Sequence, residues 1–424
     1  MTARITGLQI EGFRVIDKLN LELQPMNVLI GENGSGKSTV IEALELLRKA
    51  AALSGESFFS ELYTLHGGVQ MFRGTTQAAT RQVKLGATVE FPNDGRYQYQ
   101  LVLQVELSGA IRLVRELLSY GPGPGHTEPL RIVDRTPGNA QVFHRKAKRL
   151  ERFEVGEQDL LLTTLATDSD DGVDPKVPNQ AVPKLRDFLR NIRVYPPTET
   201  NPAWARLPGE PLAGLRSPVV IRPAASVDRG GSNLPNVYQR LRNRGDAPWK
   251  QTLMTLRLGL GSDLEDLVIE PMSSGGSISL ALKMRGVGVV PAFALSDGQL
   301  AFLMFVGIME IDEIDAQRGG LVALDEPDTH FHPALIGRIV SLAEEASERR
   351  TVVIATHSDR LLDALSNPVE SVILFERVEG SRCEARRPNR EQLERWLTRY
   401  AGLGAARADG YSSVIFTEKV GADQ

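Results

Sequence analysis

One cysteine, Cys383, is all the thiol this sequence holds, and no uninterrupted apolar run in it approaches the thickness of a bilayer. A single cysteine excludes an intramolecular disulfide and a cysteine-rich zinc site, and it suits a reducing cytoplasm. The longest apolar region, residues 301–309, is too short to cross a membrane, so no membrane partner is expected. The opening residues, Met1-Thr2-Ala3-Arg4-Ile5, lack the apolar core of a secretory signal, and cytoplasmic placement is the expectation. An excess of charge of one sign is lacking as well, with 49 basic against 53 acidic residues. A net charge of −4 gives no global attraction to nucleic acid, so any such contact must use a local basic patch. No repeat of about 20–50 residues recurs along the chain. What remains is ordinary globular chemistry: 424 residues, 42% apolar and 24% charged, enough for two or three compact units.

Against that background one segment stands out. Gly31-Glu32-Asn33-Gly34-Ser35-Gly36-Lys37-Ser38 is a complete G-x-x-x-x-G-K-S. Before it, Met26-Asn27-Val28-Leu29-Ile30 reads as a short buried strand; after it, residues 38–47 read as a helix with Val40, Leu44 and Leu47 on one face. A strand feeding such a loop and then a helix N-terminus presents backbone N–H groups and the positive dipole end to an anion. The glycines let the backbone wrap a β-phosphate, Lys37 reaches the β and γ oxygens, and the Ser38 hydroxyl suits Mg²⁺. Asn33, Gly34, Ser35, Gly36, Lys37, Ser38 and Thr39 are therefore the candidate nucleotide-binding residues. This is the pattern of a nucleoside triphosphate site.

Along the chain, residues 4–30 predict three strands, and residues 82–118 form a second strand-rich block around the turn Pro92-Asn93-Asp94-Gly95. Order then weakens, with a Gly/Pro loop at 121–125 and an Asp/Pro/Gly-rich stretch at 168–183. Between them lies the basic run His144-Arg145-Lys146-Ala147-Lys148-Arg149. A helix at 182–192, a strand at 192–195, a helical region at 233–260 and strands at 266–290 follow.

A phosphate loop alone does not choose among kinases, GTPases and motor ATPases; the distal half does. Gly320-Leu321-Val322-Ala323-Leu324-Asp325-Glu326-Pro327 is an apolar strand ending in two carboxylates. In a doubly wound sheet, ligands sit at the carboxyl ends of strands, which sets both acids beside the phosphates. Asp325 is then the candidate Mg²⁺ ligand with Ser38, and Glu326 the group that orients or deprotonates the attacking water. Thr351-Val352-Val353-Ile354-Ala355-Thr356-His357-Ser358 is a further buried strand, ending in a histidine able to sense the γ-phosphate. Glu326, His357 and Lys37 are the candidate catalytic residues. Leu295-Ser296-Asp297-Gly298-Gln299 opens an apolar helix, a second anion-binding N-terminus. One triphosphate has no use for two such helix starts, whereas two chains arranged head to tail can exchange them, making Ser296 and Gly298 candidates to meet a partner's nucleotide.

Together Gly31–Ser38, Leu295–Gln299, Leu324–Pro327 and His357 resemble an ABC-type ATPase head, and within that superfamily the SMC/RecF/OLD-like branch. Leu8-Gln9-Ile10-Glu11-Gly12-Phe13-Arg14 resembles the "NFR" start of that branch, Leu295-Ser296-Asp297-Gly298 its LSDG signature, and residues 326–333 its "EPE-x-HLHP" segment. The resemblance covers about residues 1–120 and 230–375. It implies an α/β ABC-type P-loop ATPase head with a mixed β-sheet core, an N-terminal antiparallel β-subdomain and a large inserted α+β lobe. It implies ATP and Mg²⁺ as cofactors, Arg14 as a nucleotide contact, and a homodimer sandwiching two nucleotides. Closure would serve a DNA-directed task in repair or anti-phage defence, through a partner effector such as a nuclease. The divisions expected are 1–120 (first half of the head), 121–232 (loop-rich insert), 233–290 (lobe leading to the signature), 291–375 (second half) and 376–424 (C-terminal extension).

The departures carry information. Asp297 replaces the second glycine of the common LSGGQ form, and Asp328 stands where many relatives have Glu or Thr and is assigned no chemistry. Gln70 is one candidate for the Q-loop glutamine, although the family order favours the neighbourhood of Val194-Tyr195, where no glutamine follows. His330 and His332 suit a dimer-contact turn better than a metal pair, and Asp168-Ser169-Asp170-Asp171 a solvated loop better than a nuclease centre. The long interval between Lys37 and Leu295 disfavours a transporter subunit, and the short stretch after His357 a Toprim nuclease domain. A nucleotide-regulated toxin-like effector stays open.

Overall fold

The computed structural model describes residues 2–72, 82–92, 94–106, 108–121, 129–144, 149–165, 181–201, 214–272, 276–311, 320–378, 382–397 and 402–420. The chain starts as a hairpin, β1 (Arg4–Phe13) and β2 (Ile16–Glu22), and then enters the apolar strand β3 (Met26–Gly31). Helix α1 (Lys37–Ala52) leaves the phosphate loop, followed by α2 (Gly55–Thr64). Six more strands come next: β4 (Gln82–Phe91), β5 (Gly95–Val105), β6 (Ile111–Tyr120), β7 (Leu130–Thr136), β8 (Asn139–His144) and β9 (Arg149–Phe153). With β1 and β2 they form an eight-stranded antiparallel sheet in the order β2-β1-β4-β5-β6-β7-β8-β9. Its strands alternate: β5 buries Tyr97, Tyr99, Leu101, Leu103 and Val105 on one face, as period 2 requires.

Short α3 (Leu161–Thr164) and α4 (Ala181–Arg190) lead to β10 (Ile192–Tyr195). A small antiparallel sheet of β11 (Val219–Val220), β12 (Leu264–Pro271), β13 (Ser277–Met284) and β14 (Gly288–Pro291) accompanies α5 (Leu234–Arg242) and α6 (Asp246–Leu260). Then come α7 (Asp297–Ile311), β15 (Leu321–Asp325), α8 (Ile336–Ser347), β16 (Thr351–Thr356), α9 (Asp359–Asp363) and α10 (Pro368–Ser371). The chain ends with β17 (Val372–Val378), β18 (Arg382–Arg387), α11 (Arg390–Leu397), α12 (Leu403–Ala408), α13 (Ser412–Ile415) and β19 (Glu418–Lys419).

The second large sheet is mixed, in the order β10-β15-β16-β3-β17-β18-β19, with its first five strands parallel. These read as continuous apolar runs because both faces are covered. Leu29, Leu321, Ala323, Val353, Ala355, Ile373 and Phe375 face one core, shared with α1 and the antiparallel sheet. Val28, Ile30, Val322, Leu324, Val352, Ile354, Val372 and Leu374 face the other, shared with α5 to α8. Helix α1 thus lies between the two sheets, against β1, β3 and β4 as well as β10, β15 and β16. Helix α7 buries residues 300–309 around its whole circumference, the signature of an interior helix. Among the described residues no helix is long and apolar enough to cross a membrane.

Strands β7 to β9 are the main addition to the sequence reading, which saw order weaken after residue 120. Their alternation is hidden by a register shift between Leu118 and Ser119 where β7 joins β6, and by a buried charge, Arg135, at a core-facing position. Pairing with an existing edge forms them where their own pattern does not. Of the basic run, Arg149 sits exposed on β9 and pairs with Glu151 at 3.4 Å; Arg145, Lys146 and Lys148 lie outside the described residues, as does the cluster 168–171.

Candidate active site

The parallel strands β3, β15 and β16 end at one edge, and there the sequence motifs meet. The loop after β3 is cut to fit its surroundings. A Cβ at Gly31 would stand 2.2 Å from the Phe375 carbonyl oxygen, and one at Gly36, where φ is 110°, 2.9 Å from Cys383 Sγ. Both positions therefore demand glycine. Lys37 is buried, and its Nζ donates to the carbonyls of Gly31 at 2.8 Å and Glu32 at 2.9 Å, folding back over the loop. Burial lowers its pKa, with the charges of Glu326 and Asp325 opposing that shift and Arg407 adding to it. The Ser38 hydroxyl donates to Asp325 Oδ1 at 3.2 Å, joining the two candidate metal ligands across the sheet. Burial raises the Asp325 pKa, and the Ser38 hydrogen bond and Lys37 only partly offset it. Each charge is held short of full compensation, so an incoming phosphate and a divalent cation would relieve both.

Glu326 follows in the left-handed region with φ 47°, a conformation that costs a non-glycine residue roughly 1–3 kcal/mol. Its N–H donates to Ala355 at 2.8 Å, and its carbonyl accepts the Thr329 hydroxyl at 2.9 Å, so the turn is over-determined. From that turn Glu326 Oε1 lies 3.4 Å from His357 Nδ1, beyond the end of β16. The histidine is 56% exposed on its side chain, open to whatever occupies the loop. The candidate base Glu326 and the candidate sensor His357 are thus adjacent.

Arg14, Thr39, Gln70, Ser296 and Gly298 are the remaining candidates. Arg14, itself at φ 51°, pairs its guanidinium with both oxygens of Glu42 on α1, and Glu42 also binds His66 Nδ1 at 2.8 Å. Burial works against the Glu42 charge, but His66 and Arg14 outweigh it and its pKa falls. Lys49 extends the network, 3.0 Å from His66 Nε2 and 2.7 Å from Glu61. Thr39 is buried as the third residue of α1. Gln70 is exposed on the turn Gly68–Phe72, whose Met71 carbonyl accepts the Arg14 N–H.

Ser296 and Gln299 cap α7 reciprocally: the Ser296 N–H donates to Gln299 Oε1 at 2.9 Å, and the Gln299 N–H to Ser296 Oγ at 3.3 Å. Gly298 faces the His330 carbonyl, with its Cβ position 3.0 Å away. Among the described residues, no hydrogen bond joins Ser296 or Gly298 to the loop 31–38 of the same chain.

Several partners of the site were invisible in the sequence. Arg216 is 4% exposed and donates to the carbonyls of Thr200 and Leu295 at 2.7 Å, to that of Phe293 at 3.0 Å, and to Asp297 Oδ1 at 2.7 Å. The Asp in place of glycine thus has a partner of its own. Asp328 accepts the Thr356 hydroxyl at 2.8 Å and ties the turn after β15 to the end of β16. Arg407 on α12 pairs with Asp359, two residues beyond His357. None of these pairs is close in sequence, and no local pattern announces them.

His330 Nε2 contacts the Thr198 carbonyl at 2.9 Å, while His332 Nδ1 accepts the Ala334 N–H, so each has a structural partner. Among the described residues no group of three or more His, Cys, Asp or Glu side chains gathers to hold a metal. A hard cation held by Ser38 and Asp325 would take its other oxygens from phosphate and water, the habit of Mg²⁺.

In sequence, curated proteins gave no match. Solved structures gave several: the SMC head bound to the C-terminal winged-helix domain of ScpA (TM-score 0.49, 17% identity, 93% of this chain and 99% of that one); the SMC head domain of Thermotoga maritima (0.44, 13%, 91% and 99%); and an SMC head with an extended coiled coil bound to the C-terminal domain of ScpA, from Pyrococcus furiosus (0.48, 14%, 94% and 99%). The profile of the family described as "AAA domain, putative AbiEii toxin, Type IV TA system" matches residues 26–171 and 217–363, which include the phosphate loop, the signature, the acidic strand and the histidine strand. The chain belongs to that AAA-domain family.

Proposed function

We propose that this chain binds ATP with Mg²⁺, hydrolyses it slowly, and does so in a head-to-tail dimer that buries two nucleotides. Lys37 neutralises the phosphates, Ser38 and Asp325 hold the cation, Glu326 takes a proton from the attacking water, and His357 reads the γ-phosphate. The observation that carries the reading is the contact of Ser38 with Asp325 beside the Glu326–His357 pair, at the mouth of a loop whose Gly31 and Gly36 leave no room for a side chain. The start of α7 supports the dimer, because among the described residues neither Ser296 nor Gly298 hydrogen-bonds to the loop 31–38 of its own chain. Mixing Lys37→Ala protein with Ser296→Arg protein tests both ideas. Each mixed dimer then carries both lesions in one site and leaves the other whole, so up to about half the activity returns by site counting. No recovery in dimers shown to be mixed would argue against a shared site.

The task coupled to closure is, in this reading, DNA-directed defence or repair in the cytoplasm, through a partner such as a nuclease. Copurification with a nuclease, or DNA binding that depends on ATP, would support it; neither in any nucleotide state would sink it. A second reading follows from the family description: a toxin-like effector whose action on the cell is gated by nucleotide. Growth arrest on expression of the chain alone, abolished by Lys37→Ala, would favour that alternative.

A further inference from the structure

We propose that Arg377 is a nucleotide-binding residue that grips the phosphate chain near its α-phosphate, on the side of the loop opposite Glu326 and His357. This rests on reading residues 31–39 as an ATP site. Strand β17 runs parallel to β3 with Phe375 level with Gly31, so the residues after Phe375 rise beside the phosphate loop. Arg377 is exposed, and its Nη1 lies 3.8 Å from the Cβ position of Gly34. Its cross-strand partner is Cys383, whose Sγ packs under Gly36. Directly opposed residues of an antiparallel pair share a face, so both side chains address the loop from one flank. The cysteine fills space beneath it; the arginine brings charge to its rim.

Two further observations give that charge a use. Among the described residues the Arg377 guanidinium has no hydrogen bond or ion pair, whereas Arg14, Arg216 and Arg407 are each engaged with a carboxylate. The strand order β15-β16-β3-β17 also fixes a direction. Glu326 and His357 follow β15 and β16, on one flank of β3, and Arg377 lies on the other. A triphosphate whose γ-phosphate points to Glu326 therefore runs its α-phosphate toward β17. A guanidinium fork suits two phosphate oxygens better than a point charge does.

The test is calorimetric binding of ATP, ADP and AMP with Mg²⁺ to the full chain and to its Arg377→Ala, Arg377→Lys and Lys37→Ala variants. Arg377→Ala should weaken ATP and ADP by the same factor, roughly tenfold as expected for a charge-assisted hydrogen bond, and AMP in the same direction. Arg377→Lys should recover part of that loss, since charge returns without the fork. An unchanged ADP affinity in Arg377→Ala protein of wild-type melting temperature would overturn the proposal. A loss confined to ATP would also overturn it, by moving the contact to the γ-phosphate. If the wild type binds no nucleotide and Lys37→Ala changes nothing, the ATP-site reading itself fails. If only the Arg377 variants are silent while Lys37→Ala loses binding, that reading stands and this inference alone falls.

Discussion

Two clusters of buried charge, one in each large sheet, look alike in composition and differ in what satisfies them. In the antiparallel sheet Glu116 is 1% exposed beside the fully buried Arg135. Its oxygens accept the N–H groups of Leu161 at 2.7 Å and Leu162 at 3.2 Å and the Tyr99 hydroxyl at 3.0 Å, all from the protein itself. At the ends of the parallel strands Lys37 lies among Asp325 and Glu326, but it leans on two carbonyls of its own loop, and His357 stands open to solvent. The first cluster is closed around its carboxylate and holds α3 to the sheet, although Arg135 itself donates only through Nη2, to the Gly156 and Glu157 carbonyls, and leaves Nε and Nη1 without a hydrogen-bond partner; the second is arranged for something yet to arrive. A buried charge is thus diagnostic only when its partners are counted.

The largest expected effect breaks the open cluster. Glu326→Gln keeps the side-chain shape and removes the base, so turnover should fall roughly a hundredfold or more, within the usual range for general-base loss. ATP should still bind and should persist. Steady-state phosphate release and nucleotide retention measure the two, and undiminished turnover would remove Glu326 from the chemistry.

Next comes the closed cluster, where the same kind of change should cost stability and spare chemistry. Arg135→Met removes the cation facing Glu116 and should lower unfolding free energy by about 3 kcal/mol, as when a buried pair loses one member. ATP turnover of the folded fraction should stay within about twofold, because neither Glu116 nor Arg135 shares a hydrogen-bond partner with the site. Burial already raises the Glu116 pKa, and losing Arg135 raises it further. The folded state then holds the proton more tightly than the unfolded chain. Stability must fall as pH rises from the ordinary carboxylate range through the raised value, so the loss should be larger at high pH than at low. Denaturant melts across that range read the sign. An equal loss at every pH would mean that Glu116 does not feel the arginine.

The contrast also explains what was legible in the sequence. The open cluster sits on contiguous segments, residues 31–38 and 320–327 and the end of 351–358, because strand-end sites are built from short runs whose neighbours are their neighbours in chain order. The apolar strands that carry them announced themselves by being covered on both faces. The closed cluster, the Arg14–Glu42–His66 network, the Arg216 clamp and the β7–β9 extension depend on residues far apart in sequence. Arg14 shows the limit most clearly. Its motif resemblance suggested a nucleotide contact, and its partner Glu42, which no local pattern announces, comes from the helix after the phosphate loop.

The smallest expected effect sits where the two kinds of cluster merge. Asp328 lies beside the chemistry, yet its carboxylate is satisfied within the protein, by the hydroxyl of Thr356. That hydroxyl in turn accepts the Ser358 N–H at 3.0 Å, so the residues flanking His357 on both sides hang from one side chain. Asp328→Ala leaves a fully buried hydroxyl without its acceptor, which should cost about 1–3 kcal/mol of stability. It should also let His357 wander from Glu326, lowering turnover a few-fold while ATP affinity holds. Thr356→Val removes the other partner. If the pair acts as one unit, the double variant should lose less than the sum of the single losses, by about 0.5–3 kcal/mol in stability, with the same non-additivity in turnover. Strict additivity in both would separate the Asp328 turn from the histidine strand and leave His357 held by its own strand alone.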